Sequence, residues 1–308
     1  MGSPLTQRAF TRLLDERLSE VFYENHGSDL DENIMTLFNV KTSSKAWEEL
    51  FGMGDIPDFE EHVGTLNYNS VYPGYHTKVE HKEFSNGIQI ERKLLDDELY
   101  DVVEGRSARL GEAARRTKEK YGCRPFAYAF STSYDFMTSE EGVALCSNSH
   151  TTKASGVSTT TGFDNYGTSA FSPVALEATR IAGNKFKSDI GERMDMNFDT
   201  IIIPDDLYED AWEVMESAGK IDTDNNNRNF HKGRYNLLVY RRLSDYDVNN
   251  WFLVDYNKMK QSLYWYNRIP TEFMNTTDFD TFIRKYAGYF RISYGWKSWR
   301  WVFGHEVS

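Results

Sequence analysis

The 308-residue sequence predicts an α+β fold, on two observations. Stretches with helical periodicity and stretches with strand-like alternation are intermixed, and no regular β–α–β repeat links them. A polar hairpin followed by a long helix is also expected between His62 and His150. Elements of that length cannot bury themselves within one chain, and neither contains convincingly spaced catalytic residues. We therefore expect a building block that contacts neighbouring chains.

The chain begins with a predicted amphipathic helix. Ser3 is suited to cap it, Pro4 to its first turn, and Gly27 ends the apolar pattern. Two placements are open: the helix packs on its own domain, or it is an arm that docks on a neighbouring subunit. We expect the arm, with an interface formed by Phe10, Leu13, Leu14, Leu18, Val21 and Phe22.

Strands and turns are expected over residues 55–92. Asn86-Gly87 predicts a tight hairpin turn, because both residues tolerate positive φ. Residues 75–84 alternate like a strand but are too polar for the core. This segment is either a solvated hairpin or a loop laid on another subunit. The residues assigned to such an interface are Tyr75, Lys78, Val79, Lys82, Phe84, Asn86 and Gly87.

A long helix is expected over residues 94–121. Acidic residues lie near its start and basic residues near its end, as the helix dipole favours. Gly105 and Gly111 each cost about 1 kcal/mol relative to alanine, and they indicate bending or close packing. Gly122 and Pro125 predict an interruption of the helix.

The second half of the chain alternates between helices and strands. Residues 147–172 are rich in Ser, Thr and Gly and predict a loop. Helices are expected at 173–187 and 205–218, and strands at 198–203, 235–240, 251–254 and 295–307.

Composition excludes some classes of function. The net charge of -12, from 35 basic and 47 acidic residues, argues against direct nucleic-acid binding, which would call for a basic patch. It leaves open a container for nucleic acid, whose wall should not adhere to its contents. The two cysteines, Cys123 and Cys146, indicate a reducing compartment. The N-terminus lacks a signal-peptide pattern, and no apolar run approaches the ~20 residues that cross a bilayer.

Enzymatic sites are only weakly indicated. Cys146 and His150 could be a nucleophile and its base, or half of a zinc site. However, they lie in a Ser/Thr-rich loop with no further ligand pair at a suitable spacing. Residues 222–233 begin like a calcium loop, but Asn227 stands where glycine is required and Gly233 where glutamate is required. We expect no catalytic residue, cofactor or metal site.

Several short phrases occur in a characteristic order along nearly the whole chain. They are Phe22-Tyr23-Glu24, Phe38-Asn39-Val40, Ile90-Glu91-Arg92, Gly142-Val143-Ala144-Leu145-Cys146-Ser147, Ile202-Ile203-Pro204-Asp205-Asp206-Leu207, Trp251-Phe252-Leu253 and Ser293-Tyr294-Gly295-Trp296. In this order and spacing the sequence resembles the major capsid proteins of tailed bacteriophages, in particular the Mu-like major head subunits, which share the Hong Kong 97-like fold.

The resemblance implies a domain layout. Residues 1–54 would be the N-arm and 55–92 the extended E-loop. Residues 93–171 would be the peripheral domain, with its long spine helix and the loop that follows. Residues 172–270 would be the axial domain, and 271–308 would return to the peripheral domain.

The resemblance also implies a function. The chain would be a major head protein that self-assembles into pentamers and hexamers of an icosahedral virion shell around double-stranded DNA, without sequence-specific binding. Scaffolding, portal and decoration proteins would be partners, no membrane would be involved, and assembly would take place in the host bacterial cytoplasm. The alternatives are the shell of an encapsulin-type cellular compartment and, less favoured, a hydrolase using Cys146 and His150.

Two features of the family are not expected here. The predicted helix directly after Met1 argues against a cleaved N-terminal scaffolding segment. Lys78 and Lys82 lie in the region from which some relatives cross-link their subunits, but no partner asparagine is identifiable. Cross-linking is therefore not predicted.

Overall fold

The computed structural model of the chain describes residues 7–27, 32–62, 64, 66, 68–69, 71–96, 100–217, 219 and 228–307. The helices are α1 Gln7–His26, α2 Glu32–Leu37, α3 Arg92–Asp96, α4 Tyr100–Ala127, α5 Pro173–Gly183, α6 Tyr208–Glu216 and α7 Tyr256–Ser262. The strands are β1 Asn39–Thr42, β2 Trp47–Met53, β3 Pro73–Glu80, β4 Lys82–Ile90, β5 Met137–Ser139, β6 Tyr166–Gly167, β7 Thr200–Ile203, β8 Asn236–Val239, β9 Trp251–Val254, β10 Leu263–Thr277, β11 Arg284–Trp296 and β12 Val302–His305. The α+β class predicted from the sequence is confirmed.

A four-stranded sheet in the order β1-β10-β11-β4 forms the first layer. Its centre is the antiparallel pair β10–β11, which runs from Leu263 opposite Trp296 to Thr277 opposite Arg284. The register shifts twice between Asn267 and Glu272, around Pro270, which has no N–H to donate to a ladder. The long helix α4 packs on this sheet, and α1 packs on α4.

Helix α4 continues through Gly122 and Pro125 to Ala127, so the predicted interruption is wrong. Pro125 lies in the last turn, so the one bond that it cannot make, to the Tyr121 carbonyl, is lost close to the end of the helix. Gly122 allows close packing: a Cβ there would lie 2.8 Å from Ile34 Cγ1 and 3.0 Å from the Tyr240 hydroxyl. Helix α1 packs equally closely on α4 at Gly111, where a Cβ would lie 2.4 Å from the Phe22 carbonyl oxygen, as the prediction of close packing at this glycine stated.

The hairpin predicted at Asn86-Gly87 is also wrong. Both residues lie in the middle of β4, opposite Gly288 and Ala287 of β11. Strand β3 belongs to a separate three-stranded sheet, β2-β3-β5, and the chain passes between the two sheets at the buried His81. Pairing with β11 along the length of β4 outweighs the local turn preference, because each residue pair adds cross-strand contacts.

A five-stranded sheet in the order β6-β12-β9-β7-β8 forms the other part of the fold, and α5 packs against its strand β9. The strands predicted at β7, β8 and β9 are confirmed, and every residue of β7 and β9 is buried. Ser172 caps α5 through its hydroxyl, which accepts from the Ala175 N–H, and Pro173 stands in the first turn as predicted.

Strand β12 lies between β6 and β9, so the final residues join the five-stranded sheet. Residues 271–308, expected to return together to the peripheral domain, therefore divide between two sheets, with β11 in the four-stranded sheet and β12 in the five-stranded one. One continuous apolar core links the two sheets, and it includes Trp265, Phe126, Phe252 and Trp301.

Candidate assembly surfaces

Among the described residues, exposed large apolar side chains are concentrated in a projecting hairpin, formed by β2, β3 and the segment that joins them. Strands β2 and β3 pair antiparallel, with Trp47 opposite Glu80 and Met53 opposite Pro73. Residues 47–72 are 26 of the 308 residues, yet they hold eight of the 21 exposed large apolar side chains in the described part of the chain. Exposed apolar surface at this density marks an interaction site. The eight are Trp47, Phe51, Ile56, Phe59, Leu66, Tyr68, Val71 and Tyr72.

The base of this hairpin is fixed to the body of the protein. The His76 N–H donates to Glu140 Oε2 at 3.0 Å, and the Glu140 N–H donates to the His76 carbonyl at 2.9 Å. The Tyr75 hydroxyl lies 2.6 Å from Thr151 Oγ1. Within the hairpin, a Cβ on Gly74 would lie 2.7 Å from the carbonyl carbon of Gly52, so the two backbones approach as only glycine permits.

The predicted E-loop residues do not all belong to the projecting hairpin. Tyr75 and Lys78 lie on β3, and Lys78 is placed over the Trp47 ring at 4.8 Å. Val79 is fully buried in the core of its own chain, so its assignment to an interface is wrong. Phe84 is half-buried and stacks on Phe290 at 5.3 Å, so part of its ring packs within its own chain.

Lys82, Asn86 and Gly87 lie on β4, which pairs with β11 in the four-stranded sheet and is not part of the hairpin. The exposed apolar residues of the hairpin were not among the predicted interface residues. Trp47 and Phe51 lie in the segment that was assigned to the N-arm, which ended at Gly54, and the others lie in a stretch without periodicity. The sequence indicates them in only one way: from Phe51 to Tyr72, isolated large apolar residues recur in an otherwise polar segment.

The N-terminal helix packs on its own chain, which contradicts its assignment as an arm on a neighbour. Leu18, Val21 and Phe22 are buried, and Phe22 lies 4.8 Å from the Phe273 ring of β10. Leu14 packs beside them. The side chains of Phe10 and Leu13 lie outside the described residues, as do Ser3 and Pro4.

Polar contacts hold α1 in the same position. Ser107 of α4 donates its hydroxyl to the Leu18 carbonyl at 2.7 Å. Asp15 accepts from Arg284 at 2.8 Å and from the Tyr286 hydroxyl at 2.9 Å. These partners lie on α4 and β11, so α1 is fixed to both the long helix and the four-stranded sheet of its own chain.

A second exposed apolar surface lies on the part of the fold built around the five-stranded sheet. A groove of about 680 Å³ runs between α5 and residues 228–231. Its rim includes Val174, Ile181 and Phe230, whose side chains are exposed.

A third surface is the turn that joins β10 to β11. Phe279 is exposed there, and Phe282 has a φ of 56°, which is unusual for a residue other than glycine. Asp278 holds the turn by accepting from the Asp280 N–H at 3.1 Å and from Lys285 at 2.8 Å. These bonds lower the pKa of Asp278 to about 2.

The candidate catalytic pair does not have the environment of a nucleophile. Burial raises the pKa of the Cys146 thiol well above its usual range, so the thiol stays protonated and weakly nucleophilic. His150 Nδ1 instead lies 3.0 Å from Glu141 Oε1, and its ring stacks on Trp299 at 4.1 Å. Most of the calcium-like loop, residues 220–227, lies outside the described residues.

Within the described ranges, no group of three or more His, Cys, Asp or Glu side chains is arranged to hold a metal ion. No helix among the described residues combines the length and the apolar character that crossing a bilayer requires.

Comparison with known proteins identifies the fold. Residues 77–304 match the family described as phage capsid protein. A search of curated proteins finds no match. Solved structures share the fold at low sequence identity. The structure of Mycobacterium phage Patience is 9% identical with a TM-score of 0.55, covering 99% of this chain and 90% of that one.

The capsid of cyanophage P-SCSP1u is 15% identical with a TM-score of 0.55, covering 89% of this chain and 87% of that chain. A virus-like particle from Pyrococcus furiosus is 11% identical with a TM-score of 0.51, covering 94% and 98%. At these identities the likeness concerns the fold alone.

Proposed function

This chain belongs to the phage capsid protein family and has the Hong Kong 97-like fold, and on that premise we propose that it is the major subunit of a tailed-phage head. In this proposal, copies of the chain assemble into pentamers and hexamers of an icosahedral shell that encloses double-stranded DNA. The shell forms in the cytoplasm of the bacterial host and becomes part of the virion. Scaffolding, portal and decoration proteins are its further partners.

The projecting β2–β3 hairpin carries the proposal. An isolated subunit leaves its eight large apolar side chains exposed, and association with another copy would remove them from water. Burying one such side chain is worth about 1.5–3 kcal/mol, so burying most of the eight offsets the cost of association, which is about 4–15 kcal/mol. The fixed base at Tyr75 and His76 supports this role, because a hairpin held at its base presents the tip in one direction.

Charge supports the proposed cargo. The chain carries a net charge of -12, and a wall of like charge would repel packaged DNA instead of binding it. No sequence-specific readout is assigned to any residue.

The proposal gives the chain no catalytic role and no cofactor. The raised pKa of the buried Cys146 thiol and the contact between His150 and Glu141 support a structural role for both residues.

A cellular compartment is the second candidate. It is favoured by the likeness to the virus-like particle from Pyrococcus furiosus, which covers 98% of that chain. The nucleic acid content of particles separates the two candidates. Particles from the native source that contain double-stranded DNA support the phage head, whereas particles that contain a protein cargo support the compartment.

The role of the hairpin is tested by Phe59→Ser, with Asp58→Ser as the matched control. Both residues are exposed at the tip, but only Phe59 offers apolar surface. We expect Phe59→Ser to reduce the yield of particles in sedimentation while the circular dichroism spectrum stays unchanged, and Asp58→Ser to assemble normally. Equal particle yields from the two variants would contradict the proposed role of the tip.

A further inference from the structure

A stripe of positive charge runs along the exposed side of α4. Residues 106–120 hold six cations and two acids, although the whole chain carries a net charge of -12. The exposed cations that form this basic stripe are Arg106, Arg109, Arg116 and Lys120. With Ala113 they recur at alternating intervals of three and four residues, which places all five on one side of the helix. In the described part of the chain, none of these four cations forms a salt bridge with a carboxylate.

An apolar groove opens beside the middle of the basic stripe, between α4 and β4. Ala113 lines this groove, together with Leu110 of the same helix and Phe84 and Phe290 of the sheet. Its volume is about 190 Å³, and an apolar cavity of about 150 Å³ is enough to hold a benzene ring. Strand β4 is an edge of its sheet, so none of the described strands covers the groove from that side.

The segment that joins β2 to β3 has the complementary pattern. Residues 55–62 are all exposed, and they hold four acids and no lysine or arginine. Phe59 lies among the acids and is fully exposed, so its own chain does not cover the ring. An extended chain directs alternate side chains to opposite sides. Asp55, Phe59 and Glu61 therefore share one side of this segment, and Asp58 lies on the other.

The two surfaces also match in length. A helix rises about 1.5 Å per residue, so the basic stripe is about 21 Å long from Arg106 to Lys120. An extended chain rises about 3.3 Å per residue, so Asp55 and Glu61 lie about 20 Å apart. In each surface the apolar position lies between the charges. One segment can therefore place an aromatic ring in the groove and carboxylates along the stripe at the same time.

We propose that the basic stripe and its groove receive residues 55–61 from the hairpin of a second copy of this chain. The Phe59 ring enters the groove between α4 and β4, and Asp55 and Glu61 lie beside the cations. This inference rests on the proposed function, and it specifies the surface of the neighbour that covers the hairpin. Nucleic acid also carries anions that a basic stripe attracts, but a phosphate backbone has no apolar group to fill the groove.

Photochemical cross-linking tests where the hairpin docks. The full chain is made with p-azidophenylalanine in place of Phe59, which keeps an aromatic ring at this position, and is assembled with unmodified chains labelled with ¹⁵N. We expect ultraviolet light to join position 59 to a labelled peptide from residues 106–120 or from β4, as identified by mass spectrometry. The same photoreactive residue in place of Tyr68, which is exposed in the same hairpin but outside the docking segment, should not label α4.

The cross-linking result separates this inference from the proposed function. Particles in which position 59 is joined to any other part of the neighbour overturn the docking site and leave the capsid role intact. Chains that neither form particles nor cross-link contradict both.

A charge exchange tests the role of the basic stripe. Arg109→Glu combined with Arg116→Glu should lower the yield of particles in sedimentation about tenfold, because carboxylates would then face carboxylates. Adding Asp55→Lys and Glu61→Lys to the same chain should restore the yield. Arg115→Glu, an equally exposed change on α4 outside the stripe, should assemble normally. A double Arg→Glu variant that forms particles in full yield but with less DNA would assign the stripe to nucleic acid and overturn the proposal.

Discussion

Two glycines on α4 give opposite predictions for the same substitution. A Cβ on Gly105 would meet no atom within 4 Å, whereas a Cβ on Gly111 would lie 2.4 Å from the Phe22 carbonyl oxygen and 3.1 Å from the His26 nitrogen. Replacing a helical glycine by alanine stabilises a helix by about 1 kcal/mol where space allows. Gly105→Ala should therefore raise the free energy of unfolding by about that amount.

Gly111→Ala receives the same gain in helix propensity but forces α1 away from α4. Ordinary contact begins near 3.4 Å, so the Phe22 carbonyl must retreat by about 1 Å. Overpacking of this kind costs about 1–3 kcal/mol, and the bond from Ser107 to the Leu18 carbonyl, worth about 1 kcal/mol, is strained with it. We expect a net loss of about 1–3 kcal/mol.

Urea denaturation of the unassembled subunit, followed by circular dichroism, measures both values. The two variants should differ by about 2–4 kcal/mol with opposite signs relative to the wild type. If both variants stabilise equally, α1 does not pack on α4 in solution, and the placement of the N-terminal helix on its own chain is refuted.

Three further outcomes are expected. Asn165→Ala should destabilise the subunit by roughly 3 kcal/mol or more in the same assay, because its buried side chain bonds the backbone of Leu145, Ser147 and Val302. Burial lowers the pKa of His305 to about 4, from about 6.5 when unfolded, so the unfolded chain binds the proton more readily. The free energy of unfolding should therefore have its full value above pH 6.5 and fall by about 3 kcal/mol as the pH decreases to 4. In His305→Gln the free energy of unfolding should fall less over the same pH range. Cys146→Ala should leave the yield of particles in sedimentation unchanged, and a loss of particles would contradict the structural role proposed for this residue.

The elements that the sequence predicted correctly are those whose signals are local. Ser172 and Pro173 mark the start of α5, and the uniformly apolar runs of β7 and β9 can only be buried strands. The order of short phrases along the chain predicted the Hong Kong 97-like fold, because it depends on many positions together.

The elements that were missed depend on distant partners. Asn86-Gly87 has the local signal of a turn, but its conformation is decided by β11, whose pairing residues lie about two hundred positions later. A glycine in a helical sequence can mark either a helix break or a place where another element packs closely on the helix. Only the positions of Ile34 and Tyr240 show that Gly122 is the second case.

The assembly surfaces were predicted in part. The apolar face of α1 was identified, but an apolar face does not say whether its own chain or a neighbour covers it. In the structure α4 and β10 cover Leu18 and Phe22. The hairpin tip was missed because its apolar residues are spaced without helical or strand periodicity, and they become a surface only when β2 and β3 pair.

The central claim, that copies of this chain form a closed shell through the projecting hairpin, is tested most directly by electron cryomicroscopy of particles assembled from the full chain. We predict icosahedral shells in which residues 47–80 of each subunit lie across a neighbouring subunit and the side chain of Phe59 is covered. Shells in which this hairpin faces solvent, or a protein that remains a monomer under all assembly conditions, would contradict the claim.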